Sequence, residues 1–452
     1  MSKIVILGAG ESGVGAAVLA KKKGFEVFVS DYGTIKPQYA KMLADNNIPY
    51  EQGKHTESQI LDAQEVIKSP GIKNDAPIVL KLVAANIPVI SEIEFAARYA
   101  EGAHFVCITG SNGKTTTTEL TYSILKKAGL DVAMAGNVGN SLAMLVAGDH
   151  QYEYYVLELS SFQLDNMYDF RADVAVITNI TPDHLDRYDF KMQNYTDSKF
   201  RITRNQREND VFIYFADDPI LDAEVKKREW VQQLKTFSLK ACQDPGAFFP
   251  FDDNYIEILD GFFSAVLPFV GLPLRGAHNR CNIMAAVLAA RSVDVHYTVI
   301  EDAVREFKPL EHRVEPVGEV DGVQYVNDSK GTNVDAVWYA LDTVGDGVVL
   351  ILGGVDKGND YSQLFDLVDK KVKAIVAMGV DNTPIHKAFD GRVKNIVDVR
   401  SMAECIEACR KLAVAGDTVL LSPACASFDL FTCYEDRGEQ FKAEVKKLME
   451  KK

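Results

Sequence analysis

Residues 108 to 120 read ITGSNGKTTTTEL, which joins the end of an apolar strand, a loop with two glycines and the start of a helix. This order is typical of phosphate-binding loops in α/β proteins, because free backbone N–H groups at the start of a helix hold an anion. The spacing departs from the P-loop pattern, which needs a glycine five positions before the glycine of its final Gly-Lys-Ser/Thr. Ile108 occupies that position and the nearer glycine is Gly110, so the stretch predicts a phosphate site of a variant type.

A second glycine motif stands near the start of the chain. GAGESG, from Gly8 to Gly13, follows the apolar run KIVIL and matches the GxGxxG turn of dinucleotide-binding folds, and Asp31 ends the next apolar run. A tight turn with free N–H groups holds any diphosphate, and it can also serve only to pack a helix on a strand. The motif leaves three interpretations open: a dinucleotide site, a site for another diphosphate, and a packing turn.

Apolar runs alternate with helical stretches along most of the chain, which predicts mostly parallel sheets covered by helices. At roughly 150 residues per domain, a chain of 452 residues suggests three domains. We expect an α/β protein with a Rossmann-like N-terminal domain over 1–92, a central P-loop-type ATP-binding domain over 93–307 and a Rossmann-like C-terminal domain over 308–452. The aromatic-rich segment from 217 to 273 breaks the alternation and predicts an antiparallel excursion at a sheet edge.

Composition narrows the function. The net charge of -15 is spread along the chain, which argues against a nucleic-acid surface. The first ten residues carry neither a signal-peptide core nor a membrane span, which predicts a cytoplasmic protein. The seven cysteines include no CxxC pair, so neither a disulfide framework nor a zinc site is predicted, and Cys405 and Cys409 are expected to pack on one helix face.

The residues on and after the central loop predict phosphoryl chemistry. Lys114 can reach the β and γ phosphates of a nucleotide, and Thr115 can bind magnesium. Glu158 ends a strand whose sequence predicts burial on both faces, where a carboxylate is costly unless it binds a metal or a partner. His184 follows the next strand, where a metal ligand and a satisfied loop histidine are equally good interpretations. Lys199 lies on a charged predicted helix, where a solvated lysine is the simpler interpretation of the residue alone.

Several short strings are specific when they are taken together. They run in order across nearly the whole chain: SPGI, TGSNGKTT, GNVG, ELSSFQL, DHLDRY, HNRCN, EHRVE, NDSKGTN, SPACASFD and EDRGEQF. In this combination the chain resembles the Mur ligases of peptidoglycan precursor synthesis, and SSFQL, DHLDRY and SPACASFD favour the branch that adds D-glutamate. The resemblance implies that ATP phosphorylates the carboxylate of a UDP-linked muramoyl-alanine and that D-glutamate then attacks the acyl phosphate.

The resemblance also assigns residues to the ATP and metal sites. The catalytic residues would be Lys114, Glu158, His184 and Lys199. Two magnesium ions would be held by Thr115, Glu158, His184 and Lys199, the last as a carbamate. The implied ATP contacts are Gly110, Ser111, Asn112, Gly113, Lys114, Thr115, Thr116, Asn279, Asn282, Arg313 and Asp328. The two asparagines also fit a simpler role as polar groups at a helix start.

Two further sites follow from the resemblance. The UDP-linked substrate would contact Gly10, Glu11, Ser12, Asp31, Ser69, Gly71, Asn137, Ser160 and Gln163. D-Glutamate would contact Lys330, Thr332, Lys357, Ser427 and Phe428, and Lys357 alone also fits a surface lysine. The sequence departs from the family at Gly33, where relatives commonly carry an arginine, so its contact is expected either to be missing or to be supplied elsewhere, for example by Lys36 or Lys68. The implied partners are small molecules, with no nucleic acid, no membrane and a monomeric chain.

Two other functions compete with the ligase. An NAD-dependent dehydrogenase explains GAGESG but leaves Lys114, Glu158 and His184 without a task. A nucleotide-dependent switch explains the central loop but needs no acceptor for the phosphoryl group. ADP release that depends both on UDP-linked muramoyl-alanine and on one particular amino acid would separate the ligase from these alternatives.

Overall fold

The computed structural model describes residues 2–240, 245–249, 255–260, 263–274, 276–308, 310–356 and 358–450. Within these residues the chain is an α/β protein with three sheets, of five, nine and six strands. The fold class predicted from the alternation of apolar runs is therefore confirmed. No helix among the described residues is long and apolar enough to span a bilayer.

Most strands are short. In chain order they are β1 (Lys3–Leu7), β2 (Glu26–Asp31), β3 (Tyr50–Gln52), β4 (Glu65–Lys68), β5 (Val89–Ile90), β6 (His104–Thr109), β7 (Val132–Gly136), β8 (Tyr154–Glu158), β9 (Val174–Ile177), β10 (Val211–Phe215), β11 (Gln233–Ser238), β12 (Gly246–Phe248), β13 (Tyr255–Asp260), β14 (Phe263–Pro268), β15 (Glu315–Val320), β16 (Val323–Asn327), β17 (Val348–Leu352), β18 (Val372–Met378), β19 (Asn395–Val399) and β20 (Thr418–Leu421).

Helices fill most connections. They are α1 (Glu11–Lys22), α2 (Pro37–Asp45), α3 (Glu57–Ile60), α4 (Pro77–Ala84), α5 (Glu92–Ala97), α6 (Lys114–Lys127), α7 (Leu142–Val146), α8 (Ser161–Leu164), α9 (Met192–Phe200), α10 (Pro219–Lys226), α11 (Ala277–Arg291), α12 (Tyr297–Glu306), α13 (Val334–Thr343), α14 (Phe365–Lys371), α15 (Thr383–Phe389), α16 (Met402–Leu412) and α17 (Tyr434–Glu450). Short 3-10 helices span Leu185–Arg187, Arg201–Thr203 and Tyr361–Leu364.

Local sequence explains where several helices begin. The Ser91 hydroxyl accepts a hydrogen bond from the Glu94 N–H at 3.1 Å and so caps α5. The Asn333 side chain caps α13 by accepting from Ala336 N at 2.8 Å. Such caps satisfy N–H groups that have no partner inside the helix.

The five-stranded sheet is parallel throughout and has the order β3-β2-β1-β4-β5. Its central strand β1 is fully buried, as an apolar run covered on both faces requires. The chain runs outward from β1 to β2 and β3 and then returns to β4 on the other side of β1. Open α/β sheets bind ligands in the crevice at such a reversal, beyond the carboxyl ends of the strands.

The nine-stranded sheet has the order β14-β13-β12-β11-β10-β9-β6-β8-β7. Strands from β7 to β12 pair in parallel, and β13 and β14 form an antiparallel hairpin at the edge. The predicted antiparallel excursion is therefore confirmed for the hairpin, whereas β11 and β12 in the same segment remain parallel. Because β6 lies between β8 and β9, the loops that follow these three strands meet at one edge of the sheet.

The six-stranded sheet has the order β15-β16-β20-β17-β18-β19. Only the edge strand β15 runs antiparallel to its neighbour among these strands of the described chain. Asn327 at the end of β16 pairs with Leu421 at the end of β20, so the loops that follow these strands are adjacent. They carry most of the residues predicted for the C-terminal domain.

The chain divides into two compact units. One comprises Met1–Leu272 with Cys281–Glu306, and the other comprises Pro273–Arg280 with Phe307–Lys452. The first unit contains the five- and nine-stranded sheets, which share a core in which α7 packs against both α1 and α5. Within this unit the two glycine motifs of the sequence are therefore held by one continuous core.

Candidate nucleotide and substrate sites

The central loop connects β6 to α6 and needs both of its glycines. Gly110 and Gly113 have φ angles of 146° and 82°, which glycine adopts without a steric penalty. A Cβ on Gly110 would collide with the side chain of Thr178, and a Cβ on Gly113 would collide with Asn282. Helix α6 then begins with no side-chain hydrogen bond to its cap. A glycine loop that leads into an open helix start is suited to an anion.

Two lysines converge on one carbonyl of this loop. Lys114 Nζ donates to Gly110 O at 2.9 Å and to Ser111 O at 2.8 Å, and Lys199 Nζ donates to Gly110 O at 2.7 Å. Burial, followed by the charge of Lys114, lowers the pKa of Lys199 well below its ordinary value, and the carboxylate of Asp183 acts in the opposite direction. The solvated-lysine interpretation is therefore wrong for Lys199, which is 1% exposed.

Polar residues after β9 hold the central loop in shape. Thr178 Oγ1 donates to Asn112 O at 2.6 Å, and the Asn179 side chain accepts from Asn112 N at 2.8 Å and donates to Asn112 O at 3.0 Å. The Ser111 hydroxyl donates to Thr181 O at 2.9 Å. Sequence reasoning missed Thr178, Asn179 and Thr181, and the signal was the polar run TNIT directly after an apolar strand.

Glu158 ends β8 beside the central loop and is 2% exposed. Its Oε1 accepts a hydrogen bond from Asn137 Nδ2 at 2.7 Å, and the Asn137 backbone N–H donates to Glu158 O at 2.8 Å. Its Oε2 is buried and has no hydrogen-bond partner in the part of the chain that the structure describes. Leaving such an oxygen without a partner is costly, so the position fits a hard cation that prefers oxygen ligands, such as Mg²⁺.

His184 lies in the turn after β9. Its φ of 52° is in the left-handed region, its Nε2 is 3.5 Å from Asp183 Oδ2, and its ring packs edge-on against Phe162 with centroids 5.1 Å apart. Asp183 also acts on the pKa of Lys199. The Asp183 carboxylate is therefore close to His184 and also acts on the charge of Lys199, which are two of the predicted metal ligands.

Four more of the residues predicted to contact ATP lie on the helices α6 and α11. Thr115 and Thr116 are buried in the first turn of α6. Asn282, on α11, accepts from Thr117 Oγ1 at 3.3 Å and fills the space beside Gly113. Asn282 is therefore a neighbour of the loop and more than a polar group at a helix start. For Asn279, which is half-buried on the same helix, both interpretations stay open.

A cavity of about 680 Å³ opens where the order of the N-terminal sheet reverses. Four predicted substrate residues line this cavity: Gly10, Asp31, Ser69 and Gly71. Tyr32 and His55 line it too, with ring centroids 5.7 Å apart, and sequence reasoning missed both. The position of Tyr32 directly after Asp31, at the carboxyl end of β2, was the available signal.

The three glycines of GAGESG differ in purpose. Gly8 has a φ of 90°, and a Cβ there would meet Ser69 Oγ at 2.6 Å, while a Cβ on Gly13 would collide with the Gly8 carbonyl. Turn geometry and packing thus account for two of the glycines. A Cβ on Gly10 would meet no atom of the described residues within 4 Å, so packing does not require a glycine there. Gly10 lines the cavity, and the absence of a side chain leaves room for a ligand to approach its backbone.

Neither Lys36 nor Lys68 lies in the lining of this cavity among the described residues. Lys36 is exposed, and Lys68 is 2% exposed and donates to Ile72 O at 2.7 Å. Burial, followed by the charge of Arg187, lowers the pKa of Lys68 to about 8. The Lys68 amine is therefore held by a backbone carbonyl.

Other predicted substrate residues have structural partners. Asp31 accepts hydrogen bonds from Ala9 N at 2.6 Å and Gly33 N at 2.7 Å, which ties the first glycine loop to the end of β2. Ser160 and Gln163 form a capping box at α8, with Gln163 N donating to Ser160 Oγ at 3.3 Å and Ser160 N donating to Gln163 Oε1 at 2.9 Å. Glu11 and Ser12 are the first two residues of α1.

In the second unit, Asp328 is buried directly after β16. Ser422, at the end of β20, donates to Asp328 Oδ2 at 2.6 Å. Burial raises the pKa of Asp328 to about 7, and the Ser422 hydrogen bond and the charge of Arg313 act in the opposite direction. The two residues predicted to contact ATP from this domain are therefore close enough to interact electrostatically.

The residues predicted for D-glutamate fall on the loops after β16 and β20. The Ala424 N–H donates to Gly331 O at 3.0 Å, which joins these loops. Lys330 Nζ lies 5.3 Å from the centre of the Tyr434 ring. The predicted residues in the two loops are Lys330, Thr332, Ser427 and Phe428, of which Ser427 is buried and Phe428 is 73% exposed. Lys357 lies outside the described residues.

Arg437 was missed although EDRGEQF was noted in the sequence. It is 1% exposed, and its guanidinium donates to Ser329 Oγ at 3.0 Å, Ser329 O at 2.8 Å and Cys425 O at 3.2 Å. Burial lowers the pKa of Arg437 to about 10. This arginine of α17 thereby holds together the two loops that carry the predicted D-glutamate residues.

Comparison with known proteins assigns this arrangement to a family. The MurD-like N-terminal domain of Mur ligases matches residues 2–91, the Mur ligase middle domain matches 108–290, and the Mur ligase glutamate ligase domain matches 312–425. UDP-N-acetylmuramoylalanine--D-glutamate ligase of Porphyromonas gingivalis (strain ATCC BAA-308 / W83) is 54% identical, with 98% of each chain covered. The chain belongs to the Mur ligase family. The protein of the same name from Bacteroides thetaiotaomicron is 53% identical over 99% of this Mur ligase and 100% of its own length.

Solved structures share the three-domain fold of this Mur ligase at much lower identity. UDP-N-acetylmuramate-alanine ligase from Thermotoga maritima is 18% identical and has a TM-score of 0.62, with 100% of both chains covered. At this identity the likeness concerns the fold alone. This likeness agrees with the three helix-covered sheets that the chain forms.

Proposed function

We propose that this Mur ligase uses ATP to join D-glutamate to UDP-N-acetylmuramoyl-L-alanine. The identity of the two substrates is supported by full-length relatives that are named for that ligation and are 54% and 53% identical. The observation that carries the phosphoryl-transfer step is the convergence of Lys114 and Lys199 on Gly110 O, next to a strand that ends in the buried Glu158.

The proposed reaction has two steps. A carboxylate oxygen of the alanyl group attacks the γ phosphorus of ATP, and ADP leaves. The nitrogen of D-glutamate then attacks the carbonyl carbon of the acyl phosphate, the amine loses its proton, and phosphate leaves with one former carboxylate oxygen. Lys114 and the N–H groups at the start of α6 would hold and neutralise the phosphates, as transfer of a phosphoryl group requires.

Magnesium fits the residues around the central loop. Thr115 and Glu158 would hold one ion, since Glu158 Oε2 is a buried oxygen with no partner among the described residues. His184 and Lys199 would hold a second ion. Bound Mg²⁺ would supply positive charge where phosphate and carboxylate oxygens meet. Asn137 would keep Glu158 in place through its hydrogen bond to Oε1 at 2.7 Å.

Lys199 would act as a carbamate. Its pKa is lowered well below the ordinary value by burial, which favours the neutral amine. A neutral amine attacks carbon dioxide, forms an N–C bond and releases one proton. The product is an anionic oxygen donor, and this explains how a lysine can serve a metal ion.

The outer domains would hold the two substrates. We assign the uridine diphosphate end to the N-terminal cavity, where Gly10 leaves the start of α1 open, and D-glutamate to the loops after β16 and β20. The proposed boundaries are 1–92, 93–307 and 308–452. ATP and UDP-linked precursors are cytoplasmic metabolites, so we place the activity in the cytoplasm. We also propose that the chain acts as a monomer.

One assay tests this function. ADP release is measured with UDP-N-acetylmuramoyl-L-alanine and, in separate reactions, D-glutamate, L-alanine or L-lysine. We expect release only when D-glutamate and the UDP-linked substrate are both present. ATP turnover that ignores the amino acid would support the nucleotide-dependent switch and would overturn the ligase.

A further inference from the structure

Arg187 reaches from the loop that carries His184 to the edge of the N-terminal cavity. Its guanidinium donates to three successive carbonyls, with distances of 3.2 Å to Pro70 O, 3.3 Å to Gly71 O and 3.4 Å to Ile72 O. Gly71 and Ile72 line the cavity of about 680 Å³. One side chain of the central domain is therefore fastened directly to the backbone of the proposed UDP site.

The other side of Arg187 contacts the central site. The guanidinium carbon lies 4.2 Å from the centre of the Phe162 ring, and the same ring packs edge-on against His184. The backbone N–H of Arg187 also donates to His184 O at 2.9 Å. The set Gly71, Arg187, Phe162 and His184 thus forms a continuous line of contacts between the two sites of the first unit.

The chemistry of this contact requires arginine. A guanidinium is flat and presents five N–H donors in a fixed fork, so it can stack on an aromatic ring and still donate to several carbonyls. A lysine ammonium is a point charge that can do only one of these at a time. Lys68 already donates to Ile72 O from the interior, so the loop is fixed from both sides.

We propose that Arg187 is a positioning residue that sets the separation between the UDP site and the carboxylate-activating site. The inference rests on the proposed function. A substrate held at both ends gains affinity and orientation only when the two sites keep the spacing that its length requires. Free UDP occupies one site alone and does not depend on this spacing.

The test compares Arg187→Ala and Arg187→Lys with Arg98→Ala. Arg98 is the control, because it is an exposed arginine of the first unit whose guanidinium also makes side-chain hydrogen bonds, to the Glu65 carboxylate at 2.8 Å, and neither residue is in the cavity lining. For each protein, titration calorimetry without ATP gives the Kd for UDP and for UDP-N-acetylmuramoyl-L-alanine. Steady-state assays give kcat and the KM of each substrate.

We expect Arg187→Ala to weaken binding of the full substrate about tenfold and to lower kcat, since the reacting carboxylate is misplaced. The Kd for UDP and the KM for ATP should stay within about twofold of the wild type, and Arg98→Ala should change none of these values. Arg187→Lys should be intermediate, and millimolar guanidinium should partly restore Arg187→Ala.

Two results would overturn the proposal. One is an equal loss of affinity for UDP and for the full substrate, which would make Arg187 a local part of the cavity. The other is an unchanged full-substrate affinity and kcat in a folded Arg187→Ala. Should that variant fail to fold, the same comparison in Arg187→Lys decides. A wild type that binds UDP but shows no turnover dependent on D-glutamate would refute the proposed function instead and leave the binding comparison to judge Arg187.

Discussion

The two glycine loops of this Mur ligase have the same local design and different surroundings. Both follow a parallel strand, and both lead into a helix with no side-chain hydrogen bond to its cap. The N-terminal loop faces a cavity whose lining in the described chain contains neither lysine nor arginine. At the central loop, Lys114 and Lys199 both donate to Gly110 O, and Glu158 ends the neighbouring strand.

This difference shows that agreement with a motif and capacity for chemistry are separate properties. GAGESG matches its pattern and offers N–H groups and space without a lysine or an arginine, and N–H groups at a helix start suit the binding of a diphosphate. The central loop fails the P-loop spacing at Ile108, yet two amines and a buried carboxylate meet there, which is what the proposed phosphoryl transfer would use. We therefore propose that the first loop binds the UDP end of the substrate and that the second takes part in phosphoryl transfer. Substitutions in each loop test this assignment.

The largest effect is expected from Lys199→Ala. Loss of the buried amine should lower kcat by about 10³-fold, because the proposed carbamate would be missing from the catalytic centre. Added short carboxylates should restore part of the activity by supplying the oxygen donor. The measurement is ADP release with both substrates present.

Lys191→Ala is the matched control for Lys199→Ala, since Lys191 is the exposed residue before the same helix, α9. It should retain wild-type activity. Full activity in Lys199→Ala would remove this lysine from the catalytic centre.

Gly113→Ala should have the next largest effect. The substitution forces a φ of 82° on alanine and drives its Cβ into Asn282, so the loop must shift. A displacement of about 1 Å at a catalytic loop lowers kcat by about 10²-fold. Gly129→Ala, at a φ of 80° just beyond α6, imposes the same backbone strain with no described atom within 4 Å of the new Cβ. An equal loss of kcat in both variants would mean that strain, and not the loop, is responsible.

Gly10→Ala should have a smaller and selective effect. Gly10 has a φ of -78°, which alanine adopts freely, so the fold should be unaffected. Gly10 lines the cavity, so the added methyl group takes up space at the proposed UDP site and should raise the KM of the UDP-linked substrate about tenfold, which corresponds to about 1.4 kcal/mol. The KM for ATP should not change. A rise in the KM for ATP would reverse the assignment of the two loops.

The smallest effect concerns Glu92, the first residue of α5, which accepts hydrogen bonds from Ser141 Oγ at 2.7 Å and Ala143 N at 2.6 Å. Burial raises the pKa of Glu92 from 4.5 to about 7, against these hydrogen bonds. A folded chain that holds this proton more tightly than the unfolded chain loses stability as pH rises through that range. The contribution of Glu92 is thus fully present below about pH 4.5 and lost above about pH 7.

Glu92→Gln removes this titration, so the melting temperature of the variant minus that of the wild type should increase between pH 5 and pH 8. Thermal melts followed by fluorescence at each pH give the difference directly. A difference that is constant with pH would show that the Glu92 carboxyl does not titrate in this range.

Much of the fold and part of the candidate site could be predicted from the sequence, and the features that could not be predicted share a physical cause. The three α/β sheets and the residues of the central loop follow from local patterns, because strand, loop and helix are contiguous in the chain. Thr178 and Tyr32 had a positional signal directly after their strands, but their contacts, like those of Arg187, could not be predicted, since each depends on a partner that lies far away in sequence. For the same reason the sequence does not show that the amine of Lys68 is held by Ile72 O.

The most direct test of the proposed acyl phosphate follows a carboxylate oxygen of the substrate into the released phosphate. UDP-N-acetylmuramoyl-L-alanine labelled with ¹⁸O in its carboxylate is turned over with ATP and D-glutamate, and the inorganic phosphate is analysed by mass spectrometry. If the central loop transfers the γ-phosphoryl group to the carboxylate, each phosphate released from fully labelled substrate carries one ¹⁸O atom. Unlabelled phosphate, with all its added oxygen derived from water, would contradict the acyl phosphate and with it the assignment of catalysis to the central loop.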